Sequence, residues 1–294
     1  MFNGLNKETR LFKSLNNQSK LIYASLCKQK IDKYMTGVWE DYNSGLEALL
    51  LPLIPIDFLS KRDIAGSMFV NAGGAWLEEQ VTYLEKHIQA TQLKRILRES
   101  RPGFPAIINT KYKTSHNSIH HLYHLIRYEA ECKESLLRDI MVVEWGGGYG
   151  NLAKLYTRLN PYIFTYVIID TPLFITLQHA YLGSVLGQES INLITKRSDK
   201  IINGKVNLLP VGLLEQYNLN ADAFISTWAL SESSKYAQDY VAKKKFFNAD
   251  QILIAHQDSS NELPAADRVA KLAARQGASS YEMGFLPGNH YVFK

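Results

Sequence analysis

The sequence predicts an α/β protein in which a mainly helical first part precedes a doubly wound, mostly parallel sheet. Short apolar runs alternate with amphipathic segments from residue 138 onward, and the first run leads through a glycine-rich turn into a helix. The chain closes on a hairpin pattern, which would add a C-terminal antiparallel strand. Apolar strands alternating with helices are typical of parallel sheets covered on both faces. We therefore expect residues 1–135 to form a helical region and residues 136–294 the sheet domain.

The composition is that of a globular protein and excludes several other classes. Of the 294 residues, 46% are hydrophobic and 21% are charged, which is enough apolar material for a sizeable core. The net charge of +5 is scattered, and without an RNA-binding motif it predicts no nucleic-acid partner. The most apolar stretch, residues 46–59, is too short and too interrupted by prolines to span a bilayer.

The cysteines and the N-terminal residues indicate a cellular location. Cys27 and Cys132 are far apart in sequence and predict neither a zinc site nor a disulfide framework. The N-terminal residues lack the apolar core of a signal peptide. We therefore expect a cytoplasmic protein with reduced thiols. The expected partner is a small-molecule or glycan substrate. The sequence is also compatible with an assembly of identical chains.

The first part contains a helix that should lie close to the ligand site. Apolar residues recur at helical spacing before residue 138, and a turn-rich loop at 101–118 precedes a predicted helix at 119–132. This helix shortly precedes the first strand, so it should cover the mouth of the site. It carries His121 and His124, which we take as candidate substrate contacts. No carboxylate or cysteine partner is indicated for its histidines, so we predict no metal site.

The second part alternates between strands and helices. One strand has two candidates, residues 191–195 and residues 206–209, of which the second fits the spacing to the next strand better. The closing hairpin should pair residues 281–286 with residues 290–293 around Pro287-Gly-Asn289. The other predicted strands are 141–145, 166–170, 223–227 and 251–255, and the predicted helices are 151–159, 172–186, 233–247 and 264–276.

The segment Val142-Val-Glu-Trp-Gly-Gly-Gly-Tyr-Gly-Asn-Leu152 is the most informative part of the chain. Glycines after a strand let the backbone turn sharply and approach a ligand closely, at the edge where doubly wound sheets bind nucleotides. Asp170 ends the next strand, where a carboxylate can accept hydrogen bonds from two ribose hydroxyls. The candidate cofactor-binding residues are Glu144, Gly146, Gly147, Gly148, Tyr149, Gly150, Asp170, Thr171 and Thr227.

Two cofactor classes share this layout, and the spacing separates them. Dinucleotide enzymes use G-x-G-x-x-G, whereas the third position of that pattern is Asn151 in this chain. Glu144 would repel a pyrophosphate but suits a cofactor that carries an amino group. The pattern E-x-G-x-G-x-G is the first motif of the class I methyltransferases, so S-adenosyl-L-methionine is the predicted cofactor. A tight turn without a ligand is disfavoured because Asp170 also stands at the expected distance.

The sequence resembles the bacterial sugar O-methyltransferases. VVEWGGGYGNLAKL and the following YVIIDTPLFITLQHAYL are similar to that group's E-I-G-G-G-Y-G loop and I-I-D-L-P motif, and the segments at 226–232 and 287–291 also resemble it. The resemblance covers about residues 138–294. It implies a class I methyltransferase fold of Rossmann-like type. It also implies O-methylation of a sugar or nucleotide-sugar in bacterial surface-polysaccharide biosynthesis.

The candidate catalytic residues follow from the topology. A hydroxyl acceptor needs a general base, and an aromatic face can lie beside the sulfonium cation. Residues directly after parallel strands reach the ligand edge, which places Glu232 and His256 there, and His290 opens the final antiparallel strand at the same edge. We take His290, His256 and Glu232, in that order of preference for the histidines, as candidate bases. Trp228 is a third candidate substrate contact.

Three alternatives remain open at the level of sequence. The first is an NAD-dependent oxidoreductase on a Rossmann-type sheet, which the glycine spacing disfavours. The second is a binding module without catalysis. The third is an S-adenosyl-L-methionine-dependent methyltransferase of a non-sugar acceptor, since the sugar assignment rests on resemblance alone.

Overall fold

The computed structural model describes residues 7–64, 75–138 and 140–294. The described residues of the first part are mainly helical, as expected. Their helices are α1 Lys7–Asn16, α2 Ser19–Leu26, α3 Gly37–Leu50, α4 Ala75–His87, α5 Ala90–Leu97 and α6 His116–Cys132, with short 3-10 helices at Asp32–Tyr34 and Phe58–Ser60.

The second part alternates strands and helices from residue 141 to the end of the chain. Its strands are β1 Met141–Trp145, β2 Thr165–Asp170, β3 Ile191–Leu193, β4 Val206–Pro210, β5 Ala223–Thr227, β6 Gln251–Gln257, β7 Ser279–Glu282 and β8 Asn289–Phe293. Its α-helices are α7 Asn151–Leu159, α8 Pro172–Leu186, α9 Ala229–Glu232, α10 Lys235–Lys243 and α11 Arg268–Ala274.

The strands form one sheet, which within the described residues has the order β3-β4-β2-β1-β5-β6-β8-β7. All pairings are parallel except those of β8, which runs antiparallel to both β6 and β7. This arrangement confirms the predicted class I methyltransferase fold, with its parallel core and C-terminal hairpin. Both candidates for the ambiguous strand are strands. The preferred one is β4, which pairs with β2, and the other is β3 at the sheet edge.

Several helix boundaries differ from those predicted, for local reasons. Helix α6 begins earlier than residue 119 because the Ser115 hydroxyl caps it by accepting a hydrogen bond from the Ser118 N–H. Helix α10 stops at Lys243 and gives way to a left-handed turn at Lys245–Asn248, so the predicted helix over 233–247 is too long. Helix α11 begins at Arg268 rather than at residue 264, after a run of turns.

The sheet alternates its side chains between two cores. One core lies under α6, α7 and α8 and continues into the helices of the first part. The other lies under α10 and α11 on the opposite face. Successive residues of a strand point to opposite faces, so β6 sends Leu253 to the first core and Ile254 to the second. The helical first part therefore shares a continuous apolar core with one face of the sheet.

No helix among the described residues combines the length and the apolar character needed to cross a membrane.

Phe58 connects the helical first part with the sheet domain, so its substitution tests the shared core. Its buried ring lies 6.2 Å from Phe12, 6.0 Å from Tyr149 and 5.9 Å from Tyr181, measured between ring centroids. We expect Phe58→Ala to lower the free energy of unfolding by about 3–5 kcal/mol, because a cavity would remain between these rings. Urea denaturation measures the change. The exposed Phe104 is the matched control, and Phe104→Ala should cost less than about 0.5 kcal/mol. Equal costs for the two variants would contradict the shared core.

Candidate active site

A cavity of about 300 Å³ opens where the parallel strands β1, β2 and β5 end. The glycine turn after β1 and the ends of β2 and β5 form the wall on the sheet side. Segments of the first part, at residues 34–39 and in α6, form the opposite wall. The cavity therefore lies between the two parts of the chain, at the edge where doubly wound sheets bind their ligands.

The glycine turn has a backbone that only glycine adopts readily. Gly146, Gly148 and Gly150 have φ values of +75°, +54° and +93°. The turn is closed by a hydrogen bond from the Gly150 N–H to the Gly147 carbonyl, at 2.8 Å. A Cβ on Gly146 would lie 2.1 Å from the Cβ of Ala229, so the turn also packs against the segment that follows β5. Four of the five candidate residues in the turn line the cavity; Gly150 instead forms the start of α7.

Glu144 is a buried carboxylate in the cavity wall. It is 1% exposed, and its Oε2 atom has no hydrogen-bond partner among the described residues. Burial raises the pKa of Glu144 to about 8, although the nearby Tyr166 hydroxyl opposes this shift and the Asp170 carboxylate adds to it. A buried carboxylate without a partner is costly, so this position favours a ligand that brings a hydrogen-bond donor or a positive charge.

Asp170 ends β2 and faces the glycine turn. Its carboxylate accepts hydrogen bonds from the Thr171 N–H and from the Gln178 side chain, both at 2.8 Å. Gln178 also donates to the carbonyl of Gly148 at 2.8 Å, so it braces the turn and the carboxylate together. Burial raises the pKa of Asp170 to about 7, and these hydrogen bonds limit the rise. The sequence pattern did not reveal Gln178, because its role depends on two atoms that only the fold brings together.

The backbone turns sharply where β5 ends, after Thr227. Trp228 has φ +64°, which is rare for a residue with a large side chain and is typical of functional sites. Its indole N–H donates to the Asn289 side chain at 2.7 Å, and its ring lies against His120 and His124 of α6. Both Thr227 and Trp228 line the cavity.

Glu232 lies in the cavity wall but is held on both sides. Trp39 donates to its Oε2 at 3.1 Å, and Gln257 donates to its Oε1 at 3.3 Å. Burial raises the pKa of Glu232, and these two donors oppose the rise. Glu232 therefore joins the first part to the ends of β5 and β6.

Residues 34–39 form part of the wall that the sequence did not predict. Tyr34, Met35 and Trp39 line the cavity. The segment is attached to the sheet domain through Glu215, which accepts hydrogen bonds from Lys33 at 2.6 Å and from the Tyr34 hydroxyl at 3.0 Å. No spacing pattern marks these residues, because the segment is distant in sequence from the rest of the wall.

Helix α6 contributes Asn117 and His121, which lie one turn apart on one face. Asn117 donates to the Tyr149 hydroxyl at 3.1 Å, and its Oδ1 has no partner among the described residues. His121 contacts Asn151 through Nδ1 at 3.2 Å. His124 instead lies behind the wall, fully buried, and hydrogen-bonds with the Tyr291 hydroxyl at 2.7 Å. Of the two candidate histidines, the structure therefore brings only His121 to the cavity.

His256 and His290 are brought together but not to the cavity wall. They are directly opposite each other in β6 and β8, and their rings stack with centroids 5.2 Å apart. Side chains two residues apart in a strand point to the same face of the sheet. His256 and His290 are each two residues from Ile254 and Val292, respectively, so they point to the face covered by α10 and α11. His290 pairs with Asp258 at 2.9 Å. Topology alone placed them at the correct edge, but it did not specify the face.

The ionisable side chains of the described wall include acidic groups but no lysine or arginine. The acidic groups are those of Glu144, Asp170 and Glu232. In the described parts of the chain, no group of three or more His, Cys, Asp or Glu residues could hold a metal ion.

Comparison with known proteins adds likenesses at the level of structure. Neither a protein-family model nor a curated protein matches the chain. It is similar to magnesium protoporphyrin IX methyltransferase (ChlM) from Synechocystis PCC 6803 with bound SAM, with 12% identity, a TM-score of 0.41, and coverage of 76% of this chain and 97% of that one. It is also similar to Aeropyrum pernix fibrillarin bound to S-adenosyl-L-methionine, with 11% identity, a TM-score of 0.38, and coverage of 58% and 73%.

A third similar structure is the pyocyanin biosynthetic protein PhzM, with 16% identity, a TM-score of 0.38 and coverage of 57% of this chain. The match spans about half of PhzM, 53% of its length.

The buried carboxylates make the stability of the protein depend on pH. The folded-state pKa of Glu144, about 8, is above its ordinary value of 4.5, so the folded chain holds a proton that the unfolded chain releases. The free energy of unfolding should therefore fall as pH rises from about 4.5 through about 8. We expect Glu144→Gln to flatten this fall in thermal unfolding measured from pH 5 to pH 9. Glu262→Gln, at an exposed site, is the control and should keep the wild-type slope. An unchanged slope in Glu144→Gln would contradict the burial argument.

Proposed function

We propose that this chain is an S-adenosyl-L-methionine-dependent O-methyltransferase that acts on a neutral, hydroxyl-bearing acceptor such as a sugar. The observation that carries the proposal is the buried Glu144 carboxylate beside a glycine turn, with Asp170 at the end of the next strand. The dinucleotide alternative is disfavoured because a pyrophosphate at this turn would meet the carboxylate of Glu144 in a setting of low dielectric.

The polar atoms of the wall fit the parts of the proposed cofactor. Glu144 Oε2 would hold the ammonium group, which supplies both the donor and the charge that this oxygen lacks. Asp170 and the Thr171 hydroxyl, whose Oγ1 has no partner among the described residues, would hold the ribose hydroxyls. Ile169 and Val211 offer an apolar surface to the adenine ring.

The bound cofactor would supply an electrophilic methyl group on a sulfonium. The residues of this chain would orient the acceptor and exclude water. Trp228, Trp39 and Tyr34 form aromatic faces in the wall, and such faces suit both a cation and the apolar face of a sugar ring. We propose that Trp228 and His121 contact the acceptor, and that His124 supports them from behind through the ring contacts of α6.

The ionisable groups of the described wall limit the class of acceptor. The described lining offers no lysine or arginine to a phosphate or a carboxylate group, so an anionic acceptor would lose its hydration there without a compensating positive side chain. A free sugar or a glycoside fits this wall, whereas the diphosphate of a nucleotide-sugar would have to lie outside it. The family resemblance adds the proposal that the product belongs to a bacterial surface polysaccharide.

Two substitutions test the cofactor site. Asp170→Ala should weaken binding of S-adenosylhomocysteine, because the ribose contact is lost. Gly148→Val should abolish binding, because a branched side chain is strained at φ +54° and would enter the cavity. Isothermal titration calorimetry measures both, and the exposed Asp250→Ala is the control for Asp170→Ala. Unchanged affinity in both site variants would rule out the cofactor assignment, and thermal stabilisation by NAD instead of S-adenosylhomocysteine would favour the oxidoreductase.

Transfer of labelled methyl groups tests the acceptor class. The protein would be incubated with methyl-labelled S-adenosyl-L-methionine and either neutral methyl glycosides or the matching sugar phosphates. We expect label on the glycosides and at least about tenfold less on the phosphates, the effect of about 1.4 kcal/mol of uncompensated desolvation of the phosphate. Preferential labelling of the phosphates would contradict the argument from the ionisable groups of the described wall.

A further inference from the structure

A chain of buried polar side chains leads from an ion pair to the cavity. The Glu99 carboxylate pairs with the Lys154 ammonium at 2.9 Å, and their side chains are 3% and 0% exposed. Glu99 also accepts hydrogen bonds from the hydroxyls of Ser115 at 2.6 Å and Ser118 at 2.5 Å. Burial alone would raise the pKa of Glu99, but Lys154 and the two serines hold it below its ordinary value. Glu99 is therefore an ionised acceptor, and both serine hydroxyls donate to it.

The contacts of Asn151 determine the orientation of its side-chain amide. Asn151 bridges Ser118 and His121, with Oδ1 placed 3.2 Å from Ser118 Oγ and Nδ2 placed 3.2 Å from His121 Nδ1. The single hydrogen of Ser118 Oγ already points to Glu99, so Oγ and Oδ1 would face each other as two acceptors. Half a turn of the amide keeps both contacts and removes this conflict, because Nδ2 then donates to Ser118.

The orientation of the Asn151 amide in turn determines which ring nitrogen of His121 carries the proton. With the amide turned, Asn151 Oδ1 faces His121 Nδ1 and must receive its hydrogen. The neutral ring therefore carries its proton on Nδ1, and Nε2 keeps a free lone pair. His121 is partly exposed and is the one histidine in the described lining of the cavity. The hydrogen bond of the His121 ring to Asn151 is made by Nδ1 and leaves Nε2 to a ligand.

We propose that His121 Nε2 accepts the proton of the acceptor hydroxyl, and that Glu99, Ser118 and Asn151 are positioning residues that hold the required tautomer. The inference rests on the proposed function. In this step the acceptor oxygen forms a bond to the methyl carbon, and the pair of electrons of the carbon–sulfur bond goes to sulfur. The hydroxyl proton passes to Nε2 and the charge of the sulfonium becomes that of the imidazolium, so atoms and charges balance.

The protonation state of the ring agrees with this role. Burial lowers the pKa of His121 to about 3, with the charges of Lys154 and His116 adding to the effect. The ring is therefore neutral in the physiological range, so one of its nitrogens carries a lone pair. Because the hydroxyl becomes strongly acidic as the oxygen–carbon bond forms, a ring of lowered basicity can still take its proton.

The other candidate bases lack this combination of access and a free acceptor atom. Both oxygens of Glu232 already accept hydrogen bonds from Trp39 and Gln257. His256 and His290 lie on the other face of the sheet, stacked on each other, outside the described cavity lining.

The first test reads the tautomer and needs no acceptor. Long-range nitrogen-15 to proton correlation spectra of the labelled protein, free and with S-adenosylhomocysteine, distinguish the two neutral tautomers. We expect the Nδ1–H form for His121, assigned by the loss of its signals in His121→Gln. Ser118→Ala should shift part of the population to the Nε2–H form, because the amide of Asn151 is then free to turn. An Nε2–H tautomer in the wild type, or an unchanged tautomer in Ser118→Ala, would overturn the relay.

The second test reads the chemistry with the methyl glycosides used as acceptors. His121→Gln should lower kcat by about 10²-fold or more, with unchanged affinity for S-adenosylhomocysteine by calorimetry. His87→Gln, at an exposed site of α4, is the matched control and should keep wild-type turnover. Normal kcat in His121→Gln would overturn the role of His121. Failure of the wild type to bind S-adenosylhomocysteine would instead overturn the proposed function, while the tautomer spectrum still tests the relay.

Discussion

The buried ion pair of Glu99 and Lys154 is the interaction on which the arrangement of the site depends. Removing two charges from water costs several kcal/mol for each ion, and only close pairing with further hydrogen bonds offsets that cost. Here Ser115 and Ser118 complete the bonding of Glu99, and the Tyr181 hydroxyl lies 3.3 Å from Lys154 Nζ. Since Glu99 follows α5 and Lys154 belongs to α7, the pair ties the helical first part to the helix that begins at the glycine turn. Through its hydrogen bonds with Ser115 and Ser118, the same carboxylate also holds the first turn of α6.

The two walls of the cavity present different chemical groups to a ligand. The sheet side offers Glu144, Asp170 and a turn without side chains, which suits a ligand that brings donors and one positive charge. The helical side offers aromatic rings, the His121 ring and the unpartnered Oδ1 of Asn117. Acidic groups in this wall would favour binding of a cationic ligand and disfavour anionic competitors. The helical wall is built from the part of the chain whose sequence predicts its structure less clearly.

Strand parity explains why the preferred bases lie outside the cavity lining. Two residues can end adjacent strands at the same edge and still point to opposite faces, since each step along a strand reverses the side chain. His256 and His290 point to the same face of the sheet as Ile254 and Val292, which belong to the core under α10 and α11. His121 was expected to contact the substrate, but its relation to Asn151, Ser118 and Glu99 could not be foreseen. These residues lie up to 52 positions apart, from Glu99 to Asn151, and share no local pattern.

The sequence by itself determined the sheet domain, the glycine turn and the acidic residues at the ends of β1 and β2. These features depend on local rules, namely apolar runs of strand length, glycines where φ must be positive, and the meeting of parallel strand ends at one edge. The tertiary structure alone decided which parts of the first 135 residues reach the cavity, as Trp39 and Asn117 do, and which face His256 and His290 occupy. It also decided the tautomer of His121. That tautomer depends on which side chains donate and which accept hydrogen bonds, and only packing brings these side chains into contact.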